Sequence, residues 1–219
     1  MQLTARQTYL VEKYLEVKNF NYLDIRSEIL DHIISDIEEK IENKNIDFSV
    51  AFCQVKKLWN HQLDESSSLY FGLHFSAPRI IINKAKKIYK KYFFTLLFSY
   101  FFPLITLSSF NYSVKSTIEF FPVVVFKAVI ISALFTFFYL FFTKTNTHKT
   151  TFSFVLKTQS LNVFLGLLVA MVFLSNPKEI NAIHISMFSA YLFSVCNYYI
   201  FYKKHQRVIR NYKLLGKCN

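Results

Sequence analysis

One segment of the chain combines residue types that can bind a metal ion or transfer protons. Glu28, His32 and Asp36 follow one another at intervals of four residues, with Asp24 and Asp31 nearby in the sequence. Carboxylates and an imidazole on one helical face can share a cation. The segment has no second histidine at helical spacing, however, and acidic helix faces in water show the same pattern. A metal or catalytic site, a partner-binding surface and a solvated helix face therefore all stay open.

The acidic residues of this segment also form a candidate partner-binding surface, because they gather on one side of an amphipathic helix, opposite its isoleucines. The predicted surface consists of Asp24, Glu28, Asp31, Glu38, Glu39 and Glu42. The chain has no phosphate-binding glycine loop, dinucleotide-binding motif, nucleophile elbow or HExxH motif. The sequence therefore predicts neither a cofactor nor a conventional active site.

A second candidate for chemistry is Lys127, which interrupts a long apolar run. An ionisable side chain within a membrane span is a candidate for transport or ligand binding. Helical side chains lean toward the N-terminus of their helix, so the ammonium group can instead snorkel to the membrane surface. Both interpretations stay open.

Small residues recur at every fourth position in the last two apolar runs of the chain. Residues of this kind let helix backbones approach closely within a membrane. The candidate helix-packing residues are Gly166, Ala170, Ala182, Ser186, Ala190 and Ser194. They favour contact between the third and fourth apolar runs, and pairing of two copies of the fourth run is the alternative.

The composition predicts which elements carry these residues. Of the 219 residues, 53% are hydrophobic and only 3 are glycine, which favours helices in a membrane over a soluble or β-rich fold. Four apolar runs each reach the roughly 20 residues that cross a bilayer. The predicted spans are 92–110, 118–142, 158–175 and 180–202, which together form a transmembrane domain over residues 92–202.

Basic residues predict how these spans are oriented. Fifteen lysines and arginines flank the spans on one side of the membrane and only 2 on the other. Because basic residues stay on the cytoplasmic side, both termini, including the basic tail 203–219, are predicted to be cytosolic in a cell-membrane protein. The net charge of +12 is thereby explained by topology and anionic lipid, and no nucleic-acid partner is expected.

The first 75 residues differ from the rest, with 8 basic and 12 acidic side chains. Capping residues Thr4 and Asp47, together with amphipathic patterns, predict three helices at about 5–17, 22–43 and 48–60. Residues 61–77, which include three consecutive serines, have the character of a hinge. The predicted fold is therefore all-α: a small cytosolic three-helix domain over residues 1–75, a basic interfacial helix and four transmembrane helices.

The basic helix is predicted over residues 76–91. Its apolar side chains share one face and its charges the other, which is typical of a helix lying in the membrane interface. A straight cytosolic extension of the first span is the alternative. The side chains assigned to anionic lipid headgroups are Arg79, Lys86, Lys87, Lys90 and Lys91.

The N-terminal module resembles a known family. The segments LTARQTYLVEKYL, YLDIRSEILDHIISDIEEKI and FSVAFCQVKKLW, within residues 3–60, are similar to the short helical modules of the bacterial HAAS-type family, which are associated with PadR-type regulators. The similarity consists of an amphipathic pattern and the run D-I-R-x-E-[LI]-x-D-H. It implies a cytosolic interaction or signalling module and covers none of the membrane region.

Together these patterns predict a non-enzymatic, multi-pass membrane protein. Its acidic module binds a cytosolic protein partner, associates with another copy, or folds against the basic helix and tail of its own chain. A small transporter or channel subunit that uses Lys127 is the alternative. A membrane enzyme with an acidic metal cluster is the third possibility.

Overall fold

The computed structural model describes residues 2–109, 113–115, 120–142, 148–175 and 179–215. In chain order its elements are α1 (Ala5–Val17), α2 (Arg26–Lys44), α3 (Phe48–Leu63), β1 (Glu65–Ser68), β2 (Gly72–Pro78), α4 (Arg79–Ser109), β3 (Ser113–Lys115), α5 (Phe120–Phe142), α6 (Thr151–Ser175), β4 (Glu179–Asn181) and α7 (Ala182–Leu215). They form two compact units. Unit 1 contains residues 1–86, 147–154 and 205–219, and unit 2 contains residues 87–146 and 155–204.

Three helices of unit 1 form the predicted N-terminal module. Helix α1 has the predicted limits, and Thr4 and Gln7 form the predicted capping box at its start. Helix α3 begins after Asp47, whose carboxylate accepts a hydrogen bond from the backbone N–H of Ser49. A hydrogen bond from the Ser49 hydroxyl group, followed in effect by the one from the backbone N–H, lowers the pKa of the Asp47 carboxyl group, because both stabilise its charged form. Local capping chemistry therefore fixes where these helices start.

The core of the module follows the periodicity of α2. Its residues Ile29, Ile33 and Ile37 are buried at four-residue intervals. They are joined in the core by residues of the other two helices and the turn between α1 and α2, namely Val11, Leu15, Phe20, Ala51 and Val55. Leu58 of α3 lies outside this core and is 62% exposed.

The predicted hinge is a β-hairpin, so the all-α prediction is wrong. Strands β1 and β2 pair antiparallel, with Glu65 opposite Pro78 and a bulge after Ser67. Gly72 has a φ of +92°, which glycine adopts without a side-chain clash, and it begins the return strand. Phe71 is buried against the ring of Phe154. The serine-rich composition of this segment does not indicate either the hairpin or the burial of Phe71. A second two-stranded sheet pairs β3 with β4.

The prediction of a separate interfacial helix is also wrong. Helix α4 runs without interruption for 31 residues and contains residues 79–91 of the predicted basic helix together with residues 92–109 of the first predicted span. The apolar face of the basic segment is buried in protein, with Ile81 and Ala85 fully buried and Tyr89 2% exposed. A face that is covered by protein has no apolar surface left to place in a membrane interface.

Four transmembrane helices are not found. Among the described residues, α4 is the one helix that is long and apolar enough to cross a membrane, judged by length and composition. Helix α5 has 23 residues, and the apolar stretch for which burial is described, Lys127–Phe142, covers its last 16. In the third apolar run, Gln159 is 6% exposed and accepts a hydrogen bond from the hydroxyl group of Tyr89 at 2.6 Å, a contact between helices that occurs both in membranes and in soluble cores. Apolar runs in a sequence do not distinguish contact with protein from contact with lipid.

Pro103 lies inside α4. Proline has no N–H to donate to the carbonyl group four residues earlier, which is that of Ser99. The hydroxyl group of Ser189 in α7 donates to this carbonyl oxygen. A polar side chain of a neighbouring helix thus satisfies the acceptor that proline leaves open.

Candidate functional site

The candidate site lies within unit 1, where the start of α2 meets the segment that leads into α6. The backbone N–H of Leu23 donates to the carbonyl oxygen of Lys149 at 3.0 Å, and Tyr22 and Lys149 form a parallel β-bridge. The carboxylate of Asp24 accepts a hydrogen bond from the backbone N–H of Thr151 at 2.9 Å. The N-terminal module therefore holds a segment that is more than a hundred residues later in the chain.

Asp24 occupies a position that favours an anion. Thr151 is the first residue of α6, and the first N–H groups of a helix have no partner within it. These groups carry the positive end of the helix dipole, so a carboxylate is stabilised beside them. Thr151 itself is fully buried. Without Asp24, a buried N–H group would lose its acceptor.

A reciprocal cap completes the start of α6. The backbone N–H of Ser153 donates to the hydroxyl oxygen of Thr150 at 3.0 Å, and the N–H of Thr150 donates to the Ser153 hydroxyl at 2.9 Å. The Thr150 hydroxyl also lies 2.9 Å from Nδ1 of His205, and both residues are fully buried. His205 belongs to α7, so the same hydroxyl group connects the start of α6 with the end of α7.

An open groove borders these contacts and has a volume of about 1120 Å³. Asp24 and Leu30 of the module line one part of it, and His148, Asn211 and Tyr212 line another. The rings of His148 and Tyr212 lie 6.1 Å apart. Unit 1 is therefore built from the module together with both the loop before α6 and the last turns of α7.

Tyr22 is the buried aromatic residue beside this contact, at 8% exposure. Burial, with smaller effects of Glu65 and Asp24, raises the pKa of its hydroxyl group to about 12. The cause is that the phenolate form loses hydration and meets two negative charges. The side chain therefore stays neutral across the physiological range.

The structure separates the six predicted partner-binding residues into two groups. Three of them contact parts of unit 1 outside α2: Asp24 binds Thr151, Glu28 forms an ion pair with Lys84 at 3.3 Å, and Glu38 accepts from the backbone N–H of Leu3. The other three, Asp31, Glu39 and Glu42, are exposed on α2, where Glu39 accepts a hydrogen bond from the side-chain amide of Asn43.

The predicted metal cluster is not assembled in the described part of the chain, where no three His, Cys, Asp or Glu side chains lie close enough to hold an ion. Asp36 instead accepts a hydrogen bond from the indole N–H of Trp59 at 2.7 Å. This bond ties α2 to α3. Asp36, whose spacing from Glu28 and His32 suggested a metal site, therefore contributes to the packing of α2 against α3.

The predicted lipid-headgroup residues lie along the first half of α4. Lys86, Lys87, Lys90 and Lys91 are exposed, and Arg79 is half-buried. The guanidinium group of Arg79 lies beside the imidazole of His61. Four of the five side chains are thus directed to solvent.

Among the predicted membrane residues, Lys127 is half-exposed on α5. Ala182 and Ser186 are buried, whereas Ala190 and Ser194 line a pocket in unit 2. Gly166 is covered by the ring of Tyr191: a Cβ atom at position 166 would lie 2.6 Å from Cδ2 of that ring. The side chain of Ala170 lies outside the described residues. Gly166 thus accommodates a large aromatic ring of α7.

The outer surface of α4 is strongly apolar. Its large side chains recur at three- and four-residue intervals and are between 37% and 62% exposed. They are Phe94, Leu97, Phe98, Phe101, Phe102 and Ile105. None of the most apolar 18-residue stretch of this helix is buried. A core helix of a soluble protein would be mostly buried, and this stretch is not.

Sequence reasoning missed Thr150, Thr151, Ser153 and His205. The signal was present as T-T-F-S, in which serine replaces the glutamate of the usual capping box. Comparison of the chain with known protein families, with curated proteins and with solved structures finds no match. The resemblance of the module to the HAAS-type family therefore stays a prediction.

Proposed function

We propose that this chain is a non-enzymatic membrane protein in which a cytosolic helical module controls the cytosolic ends of its membrane-associated helices. The observation that carries the proposal is the contact of Asp24 and Leu23 with residues 149–151. Through it, the module holds the first turn of α6. An interaction or signalling role follows, because a change in the module alters how that turn is held.

Membrane association is supported by the exposed apolar surface of α4. This helix of 31 residues is about 46 Å long at 1.5 Å per residue, more than the roughly 30 Å of a hydrocarbon core. Helix α5 also presents large exposed side chains at helical spacing, including Phe135 at 73% and Phe142 at 75% exposure. In water, such surfaces would cause aggregation.

The orientation is supported by charge. Lys86, Lys87, Lys90 and Lys91 all lie in the N-terminal half of α4, and the half that follows Lys91 has no charged residue. Basic residues are retained in the cytoplasm. The module, which precedes α4 in the chain, is therefore proposed to be cytosolic.

The module is proposed to act on two helices, α6 and α7. Helix α6 begins in unit 1 and continues into unit 2, and α7 begins in unit 2 and ends in unit 1. The hydrogen bond between Thr150 and His205 connects these two helices within unit 1. Binding of a protein to the exposed acids Asp31, Glu39 and Glu42 would then act on a module that already holds both helices.

Thiol labelling of the full chain in membrane vesicles tests membrane insertion and orientation together. Cys53 in α3 and Cys196 in α7 are both exposed. In a background with Cys218 replaced by serine, a membrane-impermeant maleimide should label Cys53 in inside-out vesicles and leave Cys196 unlabelled. Labelling of Cys53 only in right-side-out vesicles would refute the orientation. Recovery of the chain in the soluble fraction without detergent would refute membrane association.

A further inference from the structure

Unit 2 contains a seam between α4 and α7 that has two chemically different ends. At one end the ammonium group of Lys204 donates a hydrogen bond to the hydroxyl oxygen of Tyr92 at 3.0 Å and lies 5.2 Å from the centre of that ring. The ring of Phe201 lies 4.8 Å from the ring of Tyr92. The two helices are thus in direct contact where the basic residues begin.

Lys203 adds a second charge at this end. It is exposed, and its ammonium group lies 4.6 Å from the centre of the Tyr199 ring, which is 40% exposed. Lysines beside amphipathic tyrosines are typical of the level at which lipid headgroups meet the hydrocarbon core. The basic end of the seam therefore has the chemistry of a site for a phosphate headgroup.

At the other end, the seam opens into a pocket of about 420 Å³. This volume falls within the roughly 300–1,000 Å³ of small-molecule sites. The pocket is lined by large, mainly apolar side chains of α4 and by both small and large side chains of α6 and α7. Its principal lining residues are Leu96, Leu97, Phe101, Gly166, Ala190 and Ser194.

Two observations identify the occupant. Leu97 and Phe101 belong both to the pocket lining and to the exposed apolar stripe of α4, so the pocket is continuous with the surface proposed to contact lipid. Leu97 follows Tyr92 by five residues, which places the pocket roughly 7 Å farther along the helix than the basic end. A headgroup phosphate and the acyl chain attached to it have this arrangement.

We propose that the α4–α7 seam is a binding site for an anionic phospholipid, with the phosphate held by Lys203 and Lys204 and one acyl chain seated in the pocket. This site rests on the proposed membrane association. The site goes beyond membrane association because it selects a specific lipid. A general apolar surface would not distinguish anionic from zwitterionic headgroups.

The test is native mass spectrometry of the full-length protein, purified in detergent and supplied with dioleoyl phosphatidylglycerol or dioleoyl phosphatidylcholine. The wild-type protein should retain one molecule of phosphatidylglycerol in preference to phosphatidylcholine. The double variant Lys203→Gln/Lys204→Gln should lose this preference by about fivefold per lysine, the equivalent of ~1 kcal/mol for each basic residue near an anionic surface. The conservative variant Lys203→Arg/Lys204→Arg should retain it.

Two controls separate the site from general effects. Arg207→Gln/Lys213→Gln removes the same charge from exposed positions of α7 outside the seam and should leave the preference unchanged. Ala190→Leu fills the pocket and should reduce retention of both lipids, whereas Ala128→Leu, at an exposed position of α5, should not.

The outcomes distinguish the site from the membrane association on which it rests. Equal retention of the two lipids by the wild-type protein, or an equal loss in the Arg207→Gln/Lys213→Gln control, would overturn the site. A chain that also remains soluble without detergent would overturn membrane association itself. Retention that depends on Ala190 and the two lysines but on neither control supports the site.

Discussion

Replacing Asp24 with alanine should release the start of α6 from the N-terminal module. The Asp24 carboxylate accepts the N–H of Thr151 at 2.9 Å, and Thr151 is fully buried. Water therefore has no ready access to this N–H group in the intact structure. The alanine variant leaves the group without an acceptor until the contact opens.

The size of the effect follows from the loss of this acceptor. A buried donor without a partner costs about 1–3 kcal/mol. Since about 1.4 kcal/mol changes an equilibrium tenfold, the open form of the contact should become about 5- to 150-fold more populated. Asp24→Asn keeps an acceptor oxygen and loses only the favourable interaction of the charge with the helix dipole, about 0.3–1 kcal/mol. The asparagine variant should therefore show the smaller change.

Amide hydrogen exchange of the full-length protein in detergent measures this opening. Exchange at Thr151 and in the following turn should accelerate in Asp24→Ala by the stated factor, and less in Asp24→Asn. Asp31→Ala is the matched control, because Asp31 lies on the same helix, carries the same charge and is exposed. It should leave exchange at Thr151 unchanged.

The reasoning would be refuted by either of two results. Unchanged exchange at Thr151 in Asp24→Ala would mean that the carboxylate does not hold the start of α6. Equal acceleration by Asp31→Ala would mean that net charge, and not the hydrogen bond, determines the contact.

Three further predictions concern packing and ionisation. Gly166→Ala should lower the melting temperature in detergent although alanine favours helices, because overpacking against the Tyr191 ring costs about 1–3 kcal/mol; in a Tyr191→Ala background, which lacks that ring, the same substitution should cause no further loss of stability. Asp36→Ala should destabilise the module by about 1–3 kcal/mol, because the indole of Trp59 loses its acceptor, and fluorescence of this single tryptophan reports the unfolding; an unchanged transition would contradict the packing role. Burial raises the pKa of Tyr14 to about 12, and unfolded tyrosine ionises near pH 10. Its contribution to stability is therefore present below about pH 10 and lost as the pH rises toward 12, a loss that chemical denaturation should find reduced in Tyr14→Phe.

The sequence predicted those parts of the fold that depend on local chemistry. The limits of α1 and the start of α3 follow from capping residues that act within one turn, Thr4 and Asp47. The buried face of α2 follows from the four-residue spacing of its isoleucines. In each case the decisive interactions lie within a few residues of one another along the chain.

The failed predictions depend on contacts that are distant in the sequence. The stretch around Phe71 forms a hairpin whose tip packs against Phe154, and no local pattern shows that partner. Four apolar runs were predicted to span the membrane, yet among the described residues α4 is the one helix that is long and apolar enough to do so. Hydropathy measures how apolar a segment is and not what covers it.

In the candidate site, too, the sequence indicated the charged residues but not the distant groups that they contact. Acidic residues on α2 were predicted as a surface, and their carboxylates were expected to meet the basic tail by charge attraction. Among the described residues, Glu28 and Lys84 form an ion pair, whereas Asp24 binds a backbone N–H group. Net charge brings such segments together over distance but does not select a register.

Two hydrogen bonds fix the register of this contact. One joins the backbone groups of Leu23 and Lys149, and the other joins the Asp24 carboxylate to the N–H of Thr151. Both require α2 and the loop before α6 to meet in one register, because a shift by one residue would remove both hydrogen bonds at once. An exposed ion pair tolerates such a shift and contributes little when it forms. The specificity of the contact therefore resides in these two hydrogen bonds, and a regulator that releases the module has to break them, whatever it does to the surrounding charge.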